Sequence, residues 1–509
     1  MSGSKKKTVF LLMALLFALV CCLSACGGGG TGDDDTDEGY SLDITDQVSE
    51  WSKATKNDVT YYYAEQVVYC TNPSVKSKQC LNIYVPEEYM EADGTLNEQG
   101  SAGSYTCETA PILYINSVGA YLGKAPYKIS ESTETTAGAN GWYYEYLKEG
   151  YVLVFAGALG RADYDKENGN VSTGKAPVGL ACLKAGLRFL RYNEANLPGD
   201  MDRIVSNGMS AGGAMSTLIA VSGNSTEFDS YLEEMGAAMD QTDDVYAAQI
   251  YCPITDLEHA DFAYEWYYQS DTSSSYYTKL TDFEKELSSL FADSYVSYFN
   301  GLGITVDGTA YTIDEGGTTG TFTDWIMEQY EAAYENEYGT SKSFTSVEQV
   351  ISACTGRSKS CPSFDTLEKD SSECSVFGSR SSTLTGDDFT RHFSVPVTEV
   401  IATLADSYPD EYAEYYESYL SDTSLEDTQE AVALYSPYTY LSAGTTDVAE
   451  KIRICVGTSD SDTAPAISAC LALMLQSLGI DTEYNMVWGL GHTDADTEGA
   501  FEAWVNSIS

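Results

Sequence analysis

The chain has 509 residues, of which 77 are acidic and 27 basic, for a formal charge of −50. A surface so acidic repels phosphate backbones and anionic headgroups, which argues against nucleic-acid binding. Three histidines and no Cys-x-x-Cys pair argue against a structural zinc site, so neither metal nor cofactor is expected.

Residues 1–26 read as an export signal. Lys5 to Lys7 form a basic start, residues 9–20 are apolar, and Leu23-Ser24-Ala25-Cys26 resembles a bacterial lipobox. That resemblance implies cleavage before Cys26, diacylation of its thiol and a protein held outside the cell on a lipid anchor. The apolar run is short for a retained membrane helix. Residues 27–50, glycine-rich and then acidic, read as a self-repelling tether.

The remaining chain exceeds one ordinary hydrophobic core, which implies a main domain with a large insertion. Residues 59–69 and 80–85 alternate like antiparallel strands. Buried strands are expected at 111–116 and 151–156. A helix follows Pro177, with Leu180, Leu183, Leu187 and Leu190 at helical spacing. Residues 203–209 form another apolar strand that ends in Gly208-Met209-Ser210-Ala211-Gly212 and runs into a helix. Residues 247–254 supply one more strand.

From 256 to 450 the buried-strand rhythm is lost and Tyr, Ser, Asp and Glu dominate, with amphipathic stretches at 283–302 and 325–338. This block reads as a cap inserted over the carboxyl edge of the sheet. Strand and helix alternation resumes at 452–457, 464–478, 482–488 and a last helix carrying Phe501, Trp504, Val505 and Ile508. The expected organisation is therefore a core at 51–255, a cap at 256–450 and a second core part at 451–509. The fold class is α/β, a mostly parallel sheet with helices on both faces.

Ten cysteines follow Cys26. Cys182, Cys252, Cys455 and Cys470 fall in apolar segments and read as small buried hydrophobes. The other six lie in polar surroundings where an exported protein keeps disulfides, and Cys70 with Cys80 is the leading pair. Forty tyrosines could stack on flat ligands or serve packing.

Gly-x-Ser-x-Gly between a buried strand and a helix is the nucleophile elbow of α/β-hydrolases, in which a strained turn exposes the serine at the sheet edge. A serine needs a base, and the base a group that fixes its tautomer. Chain order in this fold is serine, acid, histidine. His492 follows the last strand and is taken as the base, whereas His259 and His392 lie in or at the insertion and are given surface or packing roles. Asp460 leaves the preceding strand and is assigned to His492, with Asp462 left for substrate. Exchange of those two roles stays open. The backbone N–H groups of Ala211 and of the 118–120 loop, Gly119 in particular, are the expected oxyanion donors. Asn207 either joins them or braces the elbow.

The sequence resembles the bacterial subtype B tannases and related esterases. The likeness rests on residues 116–121, 174–177, 208–213 and 251–257, on Gly457-Thr458-Ser459-Asp460-Ser461-Asp462-Thr463, and on Gly491-His492. It implies a serine esterase that acts on galloyl-type aryl esters of plant polyphenols through an acyl-enzyme. It further implies that Asp462 binds a ring hydroxyl, helped by a basic residue and a glutamate from the cap. Arg380 and Glu399 are the candidates for those two. The disulfide by which fungal tannases and feruloyl esterases join the neighbours of their Ser and His is ruled out by Met209 and Thr493. A general carboxylesterase, a feruloyl esterase, a peptidase on the same scaffold and a non-catalytic surface lipoprotein are the alternatives. Nothing in the sequence fixes an oligomeric state.

Overall fold

The structure, a computed structural model, describes residues 39–131, 142–165, 171–268, 280–354, 373, 376–377, 394–413, 425–460 and 462–508. Cys26, Arg380, His392, Cys361 and Cys374 lie outside the described residues.

Nine strands form one sheet: β1 (Ser52–Lys56), β2 (Val59–Val68), β3 (Cys80–Pro86), β4 (Ile112–Asn116), β5 (Val152–Ala156), β6 (Ile204–Met209), β7 (Ala247–Tyr251), β8 (Lys451–Gly457) and β9 (Asp481–Val487). Their order is β1-β2-β3-β5-β4-β6-β7-β8-β9. β1 to β3 are antiparallel and β3 meets β5 antiparallel; from β5 through β9 every pairing is parallel. Strands β4, β5 and β7 are buried at every position, as parallel strands covered on both faces must be.

Alternation along the strands decides what each face meets. Tyr114 donates to the Leu183 carbonyl at 2.7 Å, and Asn116 and Ser206 both reach Ser216. One face therefore carries α2 (Val178–Tyr192) and α3 (Ala211–Val221). On the other face Phe155 packs edge-on against Tyr143 of α1 (Tyr143–Glu149), with centroids 4.9 Å apart. Tyr146 of α1 meets Phe501 of the C-terminal helix Ala500–Ile508 at 5.3 Å.

Between β7 and β8 no described residue joins the nine-stranded sheet. This stretch is helical, with one two-stranded hairpin at Thr305–Val306 and Thr309–Ala310. Ala260–Tyr268 and Asp282–Gly301 pack through Phe262 on Phe291 at 5.1 Å and Trp266 on Tyr295 at 5.2 Å. A capping box at Thr281 and Glu284 starts the longer helix, satisfying two N–H groups that a helix end leaves open. Tyr264 ties this block to the core by donating to the Asp462 carbonyl at 2.8 Å. Most fully buried large side chains are tyrosines, among them Tyr69, Tyr84, Tyr114, Tyr121, Tyr251, Tyr295 and Tyr330, so packing accounts for much of the tyrosine content.

Two expectations need correction. Residues 40–50 are not tether: Tyr40–Ser509 form one unit. Within it, the Tyr40 N–H donates to Thr71 O, Ile44 is buried and donates its N–H to Asn193 Oδ1 at 2.8 Å, and the Gln47 amide exchanges two hydrogen bonds with the Val68 backbone. Cys70 and Cys80 are both buried free thiols. The register pairs Cys80 with Val68, two residues short of Cys70, so the two side chains are not directly opposed as a cross-strand bridge requires. Cys107, Cys182, Cys252, Cys455 and Cys470 are likewise free and buried. No helix among the described residues is long and apolar enough to cross a membrane.

Candidate active site

The turn between β6 and α3 places Ser210 at φ 61°, a left-handed conformation unusual for a residue with a side chain. Close packing around the turn explains its glycines. A Cβ on Gly208 would run into the Gly212 carbonyl, and one on Gly212 would stand 2.7 Å from Asn116 Oδ1 and from Val118 O. The strain is held by neighbours on both sides. The Ser210 N–H donates to Tyr251 O at 3.0 Å. Asn116 Nδ2 donates to the carbonyls of Gly212 at 2.9 Å and Asn207 at 3.2 Å, and to Ser216 Oγ at 3.0 Å. The brace is thus the Asn116 side chain, whereas Asn207 lends its carbonyl.

Ser210 Oγ lies 2.7 Å from His492 Nε2. On the far side of the ring, His492 Nδ1 lies 2.9 Å from Asp460 Oδ2 and 3.1 Å from Oδ1. Asp460 Oδ1 also accepts the backbone N–H groups of Asp462 at 2.8 Å and Thr463 at 3.0 Å. Asp460 is 2% exposed. Burial pushes its carboxyl up, yet the His492 bond and charge and the two amides outweigh that and hold it below the ordinary value. Burial disfavours the His492 imidazolium, and the bond and charge of Asp460, with Asp462 and Glu373 adding, lift it above the ordinary value. Both shifts point the same way, toward an ion pair once the imidazole takes a proton.

Neither the Ala211 nor the Gly119 N–H finds an acceptor among the described residues. Val118 differs, since its N–H is taken by Asn116 Oδ1 at 3.2 Å. This leaves Gly119 and Ala120 in that loop, with Gly119 set opposite Leu122 in an isolated antiparallel bridge. The Cys252 thiol donates to Thr493 O at 3.3 Å behind the imidazole, and burial holds it well above its ordinary value. Cys252, Asp460 and His492 bring potential ligand atoms within 4.8 Å of one another, but both ring nitrogens already face Asp460 and Ser210. His259 is away from this chemistry: its ring stacks on Tyr298 at 3.7 Å and its Nδ1 lies 3.1 Å from Asp256.

Asp462 is exposed at the N-terminal approach to the helix Pro465–Ser477. Glu399 is exposed as well. That side chain is solvent-exposed on Val395–Ala402, between the buried Val397 and Ile401 that fix the helix. The cap carboxylate beside Asp462 is Glu373, which interacts electrostatically with Arg161, Asp462 and His492, and burial raises its carboxyl. Arg161 itself donates from Nε to Ala120 O at 2.7 Å. The sequence signal for Glu373 is the apolar pair three residues on. Val376 and Phe377 are buried, Val376 O accepts the Ala176 N–H at 2.9 Å, and Phe377 packs on Tyr435 at 5.5 Å. That pair pins the segment to the 174–177 motif.

The BD-FAE family model matches residues 130–296. No curated protein matches the chain at a significant level. Among solved structures, native tannin acyl hydrolase from Lactobacillus plantarum is 30% identical, with 90% of this chain and 97% of that chain covered and a TM-score of 0.74. Tannin acyl hydrolase in complex with ethyl gallate is also 30% identical, over 90% and 97% of the two chains, at 0.73. Fusobacterium nucleatum tannase is 29% identical, over 90% and 97%, at 0.72. With nearly the full length of these relatives spanned, the chain belongs to the bacterial tannases of the α/β-hydrolase fold and is a carboxylic ester hydrolase.

Proposed function

We propose that the protein hydrolyses galloyl-type aryl esters of plant polyphenols with Ser210 as nucleophile, His492 as general base and acid, and Asp460 as the group that orients the imidazole. The supporting observation is His492 within 2.7 Å of Ser210 Oγ and 2.9 Å of Asp460 Oδ2. Ser210 Oγ attacks the ester carbonyl carbon while Nε2 takes its proton, and the tetrahedral oxygen is received by the N–H groups of Ala211 and Gly119. Each such donor is worth roughly 3–4 kcal/mol in the transition state. Collapse breaks the bond to the alcohol, which leaves with the proton from Nε2. Water, deprotonated by the same nitrogen, then cleaves the acyl-enzyme and restores Ser210.

Asp462 and Glu373 interact electrostatically, and two carboxylates suit the adjacent hydroxyls of a phenolic acyl ring. A relative's structure holds ethyl gallate, which agrees with that acyl choice. The test is a panel of methyl gallate, propyl gallate and short-chain p-nitrophenyl esters against wild type and Ser210→Ala. Hydrolysis of the gallates that vanishes in Ser210→Ala is expected. Cleavage of p-nitrophenyl esters alone would remove the galloyl assignment, and persistence of activity in Ser210→Ala would remove the nucleophile.

The basic start, the apolar run and the Leu23-to-Cys26 lipobox support export and a lipid anchor at Cys26, outside the bacterial cell membrane. Radiolabelled palmitate incorporated by wild type and lost in Cys26→Ala is the expected result.

A further inference from the structure

The turns that carry Ser210, Asp460 and His492 meet at the exit of β7. Tyr251 is the last residue of that strand, and its carbonyl accepts the Ser210 N–H at 3.0 Å. A Cβ on Gly213 would stand 2.6 Å from the same carbonyl and 3.2 Å from Pro253 Cα, so the start of α3 lies directly on this exit. The next residue, Cys252, reaches the other two turns. Its N–H donates to Cys455 O of β8 at 2.9 Å, and its carbonyl accepts Thr463 Oγ1 at 3.4 Å, from the threonine whose own N–H holds Asp460 Oδ1. Its Sγ lies 3.3 Å from Thr493 O and 4.0 Å from Gly491 O, the carbonyls on either side of His492.

On the reading that Ser210 is the nucleophile, we propose that Cys252 is a positioning residue for the hydrolysis. By giving its thiol proton to the Thr493 carbonyl it fixes the loop that carries His492, and with that loop the reach of the imidazole to Ser210 and Asp460. The side chain is fully buried behind the ring and acts only through it.

The backbone of Cys252 has φ 40°, a left-handed conformation that a residue with a Cβ keeps only where its surroundings hold it. Glycine would take that φ freely, so what the position gains comes from the side chain, and its bond is to the loop of the base. A thiol suits the place, being apolar enough to be buried and still able to donate. Burial, and after it the Asp460 charge, holds that thiol well above its ordinary value, so it keeps its proton and stays a donor at neutral pH. The imidazole has little slack. Its Nε2 stands 2.7 Å from Ser210 Oγ and its Nδ1 2.9 Å from Asp460 Oδ2, and a misplacement of about 1 Å costs on the order of a hundredfold in rate.

The test measures kcat and KM for methyl gallate and p-nitrophenyl acetate, together with the rate at which a fluorophosphonate labels Ser210, in wild type, Cys252→Ala, Cys252→Gly and Cys252→Ser. Alanine and glycine both remove the donor, glycine without strain at the positive φ, so that one folded variant of the pair, judged by thermal unfolding, is enough; serine puts a donor back. The donor-free variants are expected to lose about tenfold to a hundredfold in kcat and in labelling rate together, with KM nearly unchanged, and serine to recover most of that loss. Wild-type kcat in a folded donor-free variant overturns the proposal. Cys252→Ser as slow as Cys252→Ala also overturns it, because the thiol would then only fill space, and so does a rise in KM with kcat intact. A wild type that the fluorophosphonate does not label, or labels no better than Ser210→Ala, removes the Ser210 reading and this proposal with it. If only the acetate is cleaved, the galloyl assignment is lost and the same comparison is decided on the acetate.

Discussion

Asp460→Asn is the sharpest probe of the relay, because the structure dictates which way the new amide must turn. Asp460 Oδ1 accepts two backbone N–H groups, at 2.8 and 3.0 Å, so the amide oxygen has to stay there. The NH₂ group is then placed where Oδ2 stood, 2.9 Å from His492 Nδ1. Donor faces donor unless the imidazole moves its proton to Nε2. That tautomer aims an N–H at Ser210 Oγ and can no longer accept the serine proton. The equivalent change in serine-protease triads costs roughly 10⁴ in kcat, about 5.5 kcal/mol of barrier. Asp462→Asn removes at most one charge-assisted hydrogen bond to substrate, about 1.5–3 kcal/mol, or roughly 10- to 150-fold in kcat/KM. Initial rates of gallate-ester hydrolysis, with thermal unfolding as a control for folding, separate the two. Asp460→Asn within tenfold of wild-type kcat, beside a thousandfold loss in Asp462→Asn, would show the roles exchanged and refute the tautomer argument.

The acid limb of the kcat/KM profile should have its midpoint above 6.5, the ordinary imidazole value, because His492 must be neutral to act and its pKa is raised. Glu373→Gln removes one of the negative charges that raise it, so the limb should move to lower pH; a shift upward would contradict the placement of Glu373. Asn116→Ala leaves the Val118 N–H and the Gly212 carbonyl without their partner, and should cost about 1–3 kcal/mol in stability together with a fall in kcat greater than any change in KM. Glu265, bonded to Ser288 in the insertion, is pushed by burial to about 8 against an ordinary 4.5. Its folded pKa is the higher one, so its contribution is greatest in acid and is lost as pH rises between those two values, on the order of 3 kcal/mol by pH 7. Glu265→Gln should flatten the decline of Tm measured from pH 5 to 8, whereas an unchanged slope would place the titration elsewhere.

The core is legible because its signals are local. A fully buried parallel strand must be a continuous apolar run, and a glycine-flanked serine after such a run can hardly be anything but a tight turn. With only three histidines in the chain and one of them just beyond the last strand, position alone narrows the choice of base. Asp460 against Asp462 is harder, since both follow the same strand. What separates them is that the loop folds its own amides back onto Asp460 and leaves Asp462 exposed, a hydrogen-bonding choice that two identical side chains two residues apart do not announce. Asn116 shows the same limit. Three of its four hydrogen bonds join β4 to the elbow and helix some ninety to one hundred residues later, through a contact no local pattern encodes.

The insertion resists reading for a different reason. Its helices are fixed by aromatic contacts such as Trp266 with Tyr295 and by Tyr hydroxyls reaching the core, so neither the helix faces nor the approach to the site follows from spacing. Glu399 is named only through the family resemblance, and its helix turns it to solvent by burying Val397 and Ile401. Glu373 is inconspicuous in a Ser-rich stretch, and it is held near the site by its downstream neighbours, the buried Val376 and Phe377. Burial already raises the Glu373 carboxyl, so burying it further for anchorage would favour its neutral form. The anchoring has to fall to apolar neighbours. For insertions of this kind, the useful sequence sign of a site residue is therefore an isolated apolar pair beside a charge, not the charge alone. Replacing Val376 and Phe377 by serine should accordingly raise KM for gallate esters about as much as Glu373→Gln does while leaving Glu373 itself intact, and a variant combining all three changes should be no worse than either alone. Additive losses in that cycle would mean that the pair and the carboxylate act independently.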